Sequence, residues 1–177
     1  MRILRSITAV AALLAGCAAT PENRYYTLSA EPGPVTAHAP RLTVAQVRLP
    51  GMTDRPQLVV RTGAQTVDIR EFDRWAEPLD QLVPRILAQD LSAREGRQNG
   101  EAPEQRLFVV VDDFAADDAG GSHLVGRWWT LAPGQTADRR RERPFALARP
   151  TGAMDGAQIA AAMSALLGML ADDLVRD

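Results

Sequence analysis

The residues Leu14-Ala15-Gly16-Cys17 decide how much of this chain has to fold, and what it has to fold without. Ahead of them stand Arg2 and Arg5, then the apolar run Ile7 to Leu14, then the small pair Ala15-Gly16. A positive head, an apolar middle of roughly 7–15 residues and small residues before a cut make a secretory leader. The run is too short to span a bilayer, which takes about 20 apolar residues. Cys17 is the single cysteine, so no disulfide staples the remainder of the chain, and the domain has to be held by its own core.

A cysteine directly after such a small pair resembles the lipobox of bacterial lipoproteins. The resemblance implies that the Cys17 thiol takes a diacylglycerol, that residues 1–16 are removed and that the new amino terminus is acylated. Three acyl chains at ~0.8 kcal/mol per buried methylene would make that anchor effectively permanent. The competing reading is an ordinary leader with an incidental cysteine. Residue 18 is Ala rather than Asp; Asp there retains enterobacterial lipoproteins at the inner membrane, so the resemblance implies the outer membrane.

Residues 17–24 then read as a lipidated tether and 25–177 as a single periplasmic domain. Removing 16 residues from 177 leaves 161, enough for a real core. The leader takes Arg2 and Arg5 with it, leaving 18 basic residues, all Arg, against 22 acidic ones and a net charge near −4. That balance argues against nucleic acid or anionic headgroups as the main partner.

Along the domain, Tyr25-Tyr26-Thr27-Leu28 is β-prone, and Glu31 to Pro40 is a proline-rich loop. Leu42 to Leu49 predicts a strand whose apolar parity switches near Ala45, through a bulge or burial on both faces. Pro56 to Arg61 and Thr66 to Arg70 flank Thr62-Gly63-Ala64-Gln65 as a β-hairpin. Glu77 to Arg94 is helical, with Leu79, Leu82, Val83, Ile86, Leu87 and Leu91 on one stripe. Either that helix begins at Pro78 and kinks at Pro84, or its regular part starts near Asp80. After a polar break from Gly96 to Pro103, Leu107 to Val111 is apolar on both alternating sets, the mark of a central strand covered on both sides.

Ser122 to Leu131 and Arg139 to Ala148 predict two more strands around a Pro133-Gly134 turn, with Pro144 marking an edge. The last helix carries Asp155 as N-cap, Gln158 at the capping-box position and Met154 with Ile159 as a hydrophobic staple. Its seam is Ile159, Met163, Leu166, Leu170 and Leu174, and Asp172-Asp173 ends the apolar stretch, so it packs a core rather than spanning a membrane. Strands, helix, strands, helix is an α+β order: a mainly antiparallel sheet with two helices on one face.

Chemistry-bearing residues are sparse. His38 and His123 are far apart in the chain, and solvated or incidental histidines outweigh a metal pair. Asp112-Asp113 and Asp117-Asp118 are neighbours that point to opposite faces of a strand, so neither doublet makes an acid/base pair by itself. No phosphate loop, nucleophile elbow or HExxH stands in the chain, and neither a metal nor a cofactor is expected. The Arg139-Arg140-Arg141 and Arg143 cluster reads as a solvated turn or edge strand before it reads as a contact for lipid phosphates. Trp75 stands at a strand-to-helix junction, as a cap on the core or as a partner contact. Trp128 and Trp129 cannot both face inward, so one of them is exposed or covered by another chain.

Tyr25-Tyr26-Thr27-Leu28, Val44 to Pro50, Asp54-Arg55-Pro56-Gln57-Leu58-Val59 and Arg74-Trp75-Ala76-Glu77-Pro78-Leu79, set behind a lipobox, resemble the ABC-type transport auxiliary lipoproteins of the PqiC type. The resemblance runs from Cys17 to about Phe114 and more weakly to the C-terminus. It implies a fold like the TolB N-terminal domain and an outer-membrane lipoprotein without catalysis of its own. It also implies a docking role in a lipid-transport machine containing a protein with MCE (mammalian cell entry) domains. Asp54, Arg55, Pro56, Arg74, Trp75 and Glu77 are the candidate contact residues, with Trp128 next, and self-association is a further expectation. A general envelope-assembly lipoprotein would share the anchor and fold. A lipid-anchored hydrolase would need a converging catalytic constellation, which the chain does not display.

Overall fold

The computed structural model of the protein describes residues 21–36, 40–95, 104–135, 141–152 and 154–176. Cys17, His38, Arg139, Arg140 and the Gly96 to Pro103 break lie outside them. The described elements run β1 (Arg24–Tyr26), β2 (Leu42–Arg48), a 3₁₀ turn (Gly51–Thr53), β3 (Gln57–Arg61), β4 (Val67–Trp75), α1 (Leu79–Arg94), β5 (Gln105–Asp117), β6 (Gly121–Leu131), β7 (Arg143–Pro150) and α2 (Gly156–Arg176). The strands form one sheet in the order β1-β4-β3-β5-β6-β7, and β2 also pairs with β5. The ladders β3–β4, β5–β6 and β6–β7 are antiparallel, while the shorter β1–β4 and β3–β5 pairs, and β2–β5, are parallel. The sheet is thus mostly, not purely, antiparallel.

The parity switch at Ala45 is a bulge: the register of β2 on β5 shifts between Val44 and Gln46. The hairpin closes where the glycine loop lies, with Thr62 N–H donating to the Thr66 carbonyl at 3.0 Å. In α1 the predicted stripe is buried. The helix starts at Leu79, directly after Pro78, and carries Pro84 inside it. In α2 the Asp155 carboxylate accepts the Gln158 backbone N–H at 2.9 Å, so the N-cap is made as its sequence requires. The α2 helix is long and apolar enough to cross a membrane by length and composition. Its seam is instead buried against the sheet and α1, from Ile159 to Leu174.

Both helices lie on one face of the sheet, where Leu58, Val60, Leu107, Val109, Phe114 and Leu124 meet Leu82, Ile86, Leu166 and Leu170. The opposite face has no helix among the described residues, which corrects the expectation for Leu107 to Val111. Leu107, Val109 and Val111 are buried, but Phe108 and Val110 are only half-buried. β5 is central within the sheet yet covered by helices on one side alone. Of the tryptophan pair, Trp129 is on the outward face, half-buried, and stacks on Phe108 with ring centroids 5.4 Å apart. Its neighbour Trp128 faces the core.

Between the helices lies a polar junction that the apolar pattern conceals. Arg94, 1 % exposed, donates from Nε to Asp172 Oδ1 at 2.5 Å, from Nη1 to the Glu31 and Asp90 carbonyls and from Nη2 to the Gly168 carbonyl. Glu31 N–H in turn donates to Asp90 Oδ1 at 2.7 Å, and Thr36 N–H donates to the Arg94 carbonyl. The chain following β1 is thereby pinned across both helices.

Candidate partner-binding site

β2 and β3 run in the same direction along one edge of β5, the first beside Gln105 to Val110 and the second beside Ala116 and Asp117. The link between them must leave the sheet and return. Leu49 to Pro56 does so through the 3₁₀ turn, with Thr53 N–H donating to the Pro50 carbonyl and Asp54 N–H to that of Gly51. β4 comes back antiparallel to β3 and ends beside this link, where Trp75 N–H donates to the Pro56 carbonyl at 2.7 Å. Ala76 N–H then donates to the Tyr26 carbonyl, so β1 fixes the point at which the chain turns into α1.

The two segments singled out in the sequence, Asp54-Arg55-Pro56 and Trp75-Ala76-Glu77, therefore face each other across a cleft of about 550 Å³. Trp75 and Leu79 form its floor and are buried. Pro50, Pro56 and Pro78 line it, together with the charged side chains of Asp54, Arg55, Glu77 and Asp80. Prolines and a buried indole make its shape rigid, since they bring little rotamer freedom that binding would have to freeze.

The candidate residues divide by this geometry. Asp54, Arg55, Pro56, Trp75 and Glu77 converge on the cleft. Arg74 does not line it; its guanidinium turns to the Glu71 carbonyl and carboxylate, each at 3.2 Å. Glu77 is held by Arg85 and not by Arg55 or Arg74. The Arg55 side chain makes no hydrogen bond or ion pair among the described residues. Trp128 lies elsewhere, in a cleft of about 290 Å³ with Leu42, Arg141 and Leu174, under the Arg143 guanidinium at 5.0 Å from the ring centre.

Of the two aspartate doublets, Asp112, Asp113 and Asp117 are engaged in structure. Asp112 pairs with Arg127 and Asp113 with Arg61. Asp117 accepts the Gly121 N–H at 2.8 Å and the His123 ring nitrogen at 2.6 Å; the Gly121 hydrogen bond first, then His123, holds its carboxyl below the usual carboxylate range. Tyr26 donates to Asp73 at 3.0 Å, and burial followed by that contact raises its phenol. Among the described residues no group of three or more His, Cys, Asp or Glu is placed to hold a metal ion. Among the buried groups that sequence reasoning missed are Asp90 and Arg94. Asp90 is pushed up to about 6 by burial, against the pull of the Glu31 N–H and Arg94. No sequence signal set them apart from an ordinary polar helix face.

What the fold and cleft define is a two-layer α+β domain with a preformed groove lined by prolines and charged side chains. The model of the ABC-type transport auxiliary lipoprotein component matches residues 26–175, and the chain belongs to that family. No curated protein matches it. Two solved structures share the fold. One, described as an uncharacterized protein, has a TM-score of 0.70 at 22 % identity, covering 88 % of this chain and 98 % of its own. The other is protein XCC0632 from Xanthomonas campestris, of family DUF330, with a TM-score of 0.66 at 22 % identity and coverages of 86 % and 92 %.

Proposed function

We propose that this lipoprotein is a non-catalytic docking subunit of an ABC-type lipid-transport system, and that the Arg55–Trp75 cleft holds its protein partner. In this reading Cys17 carries the lipid anchor at the outer membrane, and the domain faces the periplasm. The partner is a protein with MCE domains, and the assembly contributes to envelope integrity. The observation that carries the reading is the convergence of Asp54-Arg55-Pro56 and Trp75-Ala76-Glu77 on one rigid groove. Family membership supports the transport role. An arginine with no partner among the described residues, at the mouth of a preformed cleft, is the kind of residue that docking surfaces favour.

The test is co-purification of the MCE-domain protein from solubilised membranes with wild-type, Arg55→Glu and Arg149→Glu chains. Arg149 is an exposed residue of β7, remote in the sheet from β3 and β4. Loss of the partner with Arg55→Glu alone supports the reading. Equal retention by all three moves the contact surface away from this cleft.

A further inference from the structure

Where α2 ends, at Arg176, the helix cover of the sheet runs out and leaves the recess of about 290 Å³ that Leu174 walls. Leu42 opens β2, Gln105 opens β5, Thr130 stands one residue from the end of β6 and Arg143 opens β7, so four strand ends meet there. Leu42, Trp128 and Leu174, all buried, give it an apolar wall. The basic cluster that the sequence marks as a solvated turn or edge strand bears on the same place. β7 is the edge strand, but its register sets Arg143 across from Trp128, a residue of the core. The Arg143 guanidinium lies over that indole, 5.0 Å from the ring centre. Arg141, just ahead of β7, lines the recess as well.

We propose that this recess binds a phosphate ester, its anionic group held by Arg141 and Arg143 and its apolar part laid against Leu42, Trp128 and Leu174. Charge is the first argument. The chain carries 22 acidic residues against 20 basic ones, yet two guanidinium groups and no carboxylate stand among the described residues that line the recess. The carboxylates next to it in sequence are committed elsewhere: Glu142 to Arg127 at 3.2 Å, Asp173 to Arg176 at 3.5 Å and Glu104 to the Thr43 hydroxyl. A guanidinium laid by its face on an aromatic ring still donates from its edge, in the fork that suits phosphate oxygens. The Thr130 hydroxyl adds a further donor to the lining. Shape is the second argument. The recess lies at the small end of ligand clefts, which start near roughly 300 Å³, so it takes one headgroup with its first methylenes rather than a whole lipid. Being concave, it receives a single group and not the flat surface of a bilayer. A phospholipid headgroup and a soluble phosphate ester share this chemistry. The site is separate from the Arg55–Trp75 cleft, and its failure would leave the docking reading untouched.

The experiment titrates the full chain in mild detergent with butyl phosphate, butanol and inorganic phosphate, following the tryptophan indole N–H signals by NMR. Trp128→Phe identifies the signal of Trp128 among the three tryptophans. Butyl phosphate should move that signal and leave those of Trp75 and Trp129 in place. Butanol and inorganic phosphate should each bind about tenfold more weakly, since each lacks one half of the ligand. Arg141→Gln, at an exposed side chain, and the double variant with Arg143→Gln should weaken butyl phosphate by about tenfold or more, with thermal melts as the folding control. A Trp128 signal that butyl phosphate never moves overturns the proposal. So does a folded double variant that binds as tightly as wild type, or either half-ligand matching the ester. The competing role for two arginines beside the last turn of α2 is to offset its helix dipole; variants that melt early, with no Trp128 shift in wild type, would establish that role instead. Mass spectrometry of chains purified from their own membranes distinguishes the sources. A phospholipid, or a soluble phosphate ester, held by wild type and missing from the double variant identifies the native ligand. The same bound molecules on both chains overturns the assignment to this recess.

Discussion

Arg94, at the end of α1, reaches Asp172 near the end of α2 with its Nε 2.5 Å from Oδ1, while its other nitrogens satisfy three backbone carbonyls. One guanidinium thus joins both helices to the segment that follows β1. A Cβ on Gly33 would run into that guanidinium, and one on Gly168 would crowd the Glu31 side chain beside it, so the junction packs tightly against both glycines. Arg94→Ala removes the cation from a site that still holds Asp90 and most of Asp172. Breaking a buried pair in this way costs about 3–5 kcal/mol. Urea unfolding of the two proteins measures the difference, and a loss below about 1 kcal/mol would fit only a solvated surface pair.

Asp90 gives the stability a pH dependence of a specific sign. Its carboxyl titrates near 6 in the folded protein against an ordinary 3.8, so the folded state binds the extra proton between those values. Stability contributed by this group therefore falls as pH rises from about 4 to 6 and is flat beyond. The difference in unfolding free energy between wild type and Asp90→Asn should decline across that window. A difference that is level or rising between pH 4 and 6 contradicts the burial of this carboxyl.

Trp75 and Arg55 share a cleft but have different roles in it. Trp75 is 5 % exposed and belongs to the core, so Trp75→Ala should cost about 3–5 kcal/mol and lower partner binding only through the fold. Arg55→Glu, at an exposed side chain with no partner among the described residues, should leave stability within about 0.5 kcal/mol and act on binding alone. Thermal melts beside the co-purification assay separate the two. An Arg55 variant that melts early shows a scaffold residue.

Lipidation at Cys17 predicts that mass spectrometry of the mature N-terminus finds an acylated cysteine. Cys17→Ser should release the domain from the membrane or stall its processing. An unmodified Cys17 in the mature protein would remove the basis for the anchored reading.

Much of this architecture was legible because local patterns recorded it: the Ala45 parity switch, the glycine-bearing hairpin, the Asp155 cap and the α2 seam each follow from neighbours in sequence. Parity also established that Trp128 and Trp129 face opposite ways. It could not say which one turns inward, nor that Phe108, one strand away, covers the other. The cleft residues were marked in the sequence, but not that the second hairpin strand runs on past Arg70 to Trp75, pairing Gln57 with Arg74 and so setting Pro56 beside Trp75. Arg94 was invisible for the same reason. Its partners Glu31, Gly168 and Asp172 come from remote parts of the chain, and a basic residue in the last turn of a helix is where the helix dipole places one in any case.

The parallel pairing of β1 with β4 has a mechanical consequence. Tension drawn along the strand from its N-terminal side loads the β1–β4 ladder in shear, so its bonds share the force instead of parting one by one as in a peeled hairpin. Arg24 to Asp73 at 2.8 Å and Tyr26 to Asp73 clamp the same three residues sideways. Tyr26 is also lodged against Gly156 at the start of α2, where a larger residue would collide with its ring. A strand three residues long thereby becomes the mount by which the domain resists a pull, and weakening Asp73 should lower the force at which the N-terminus tears free before it lowers the temperature at which the core melts.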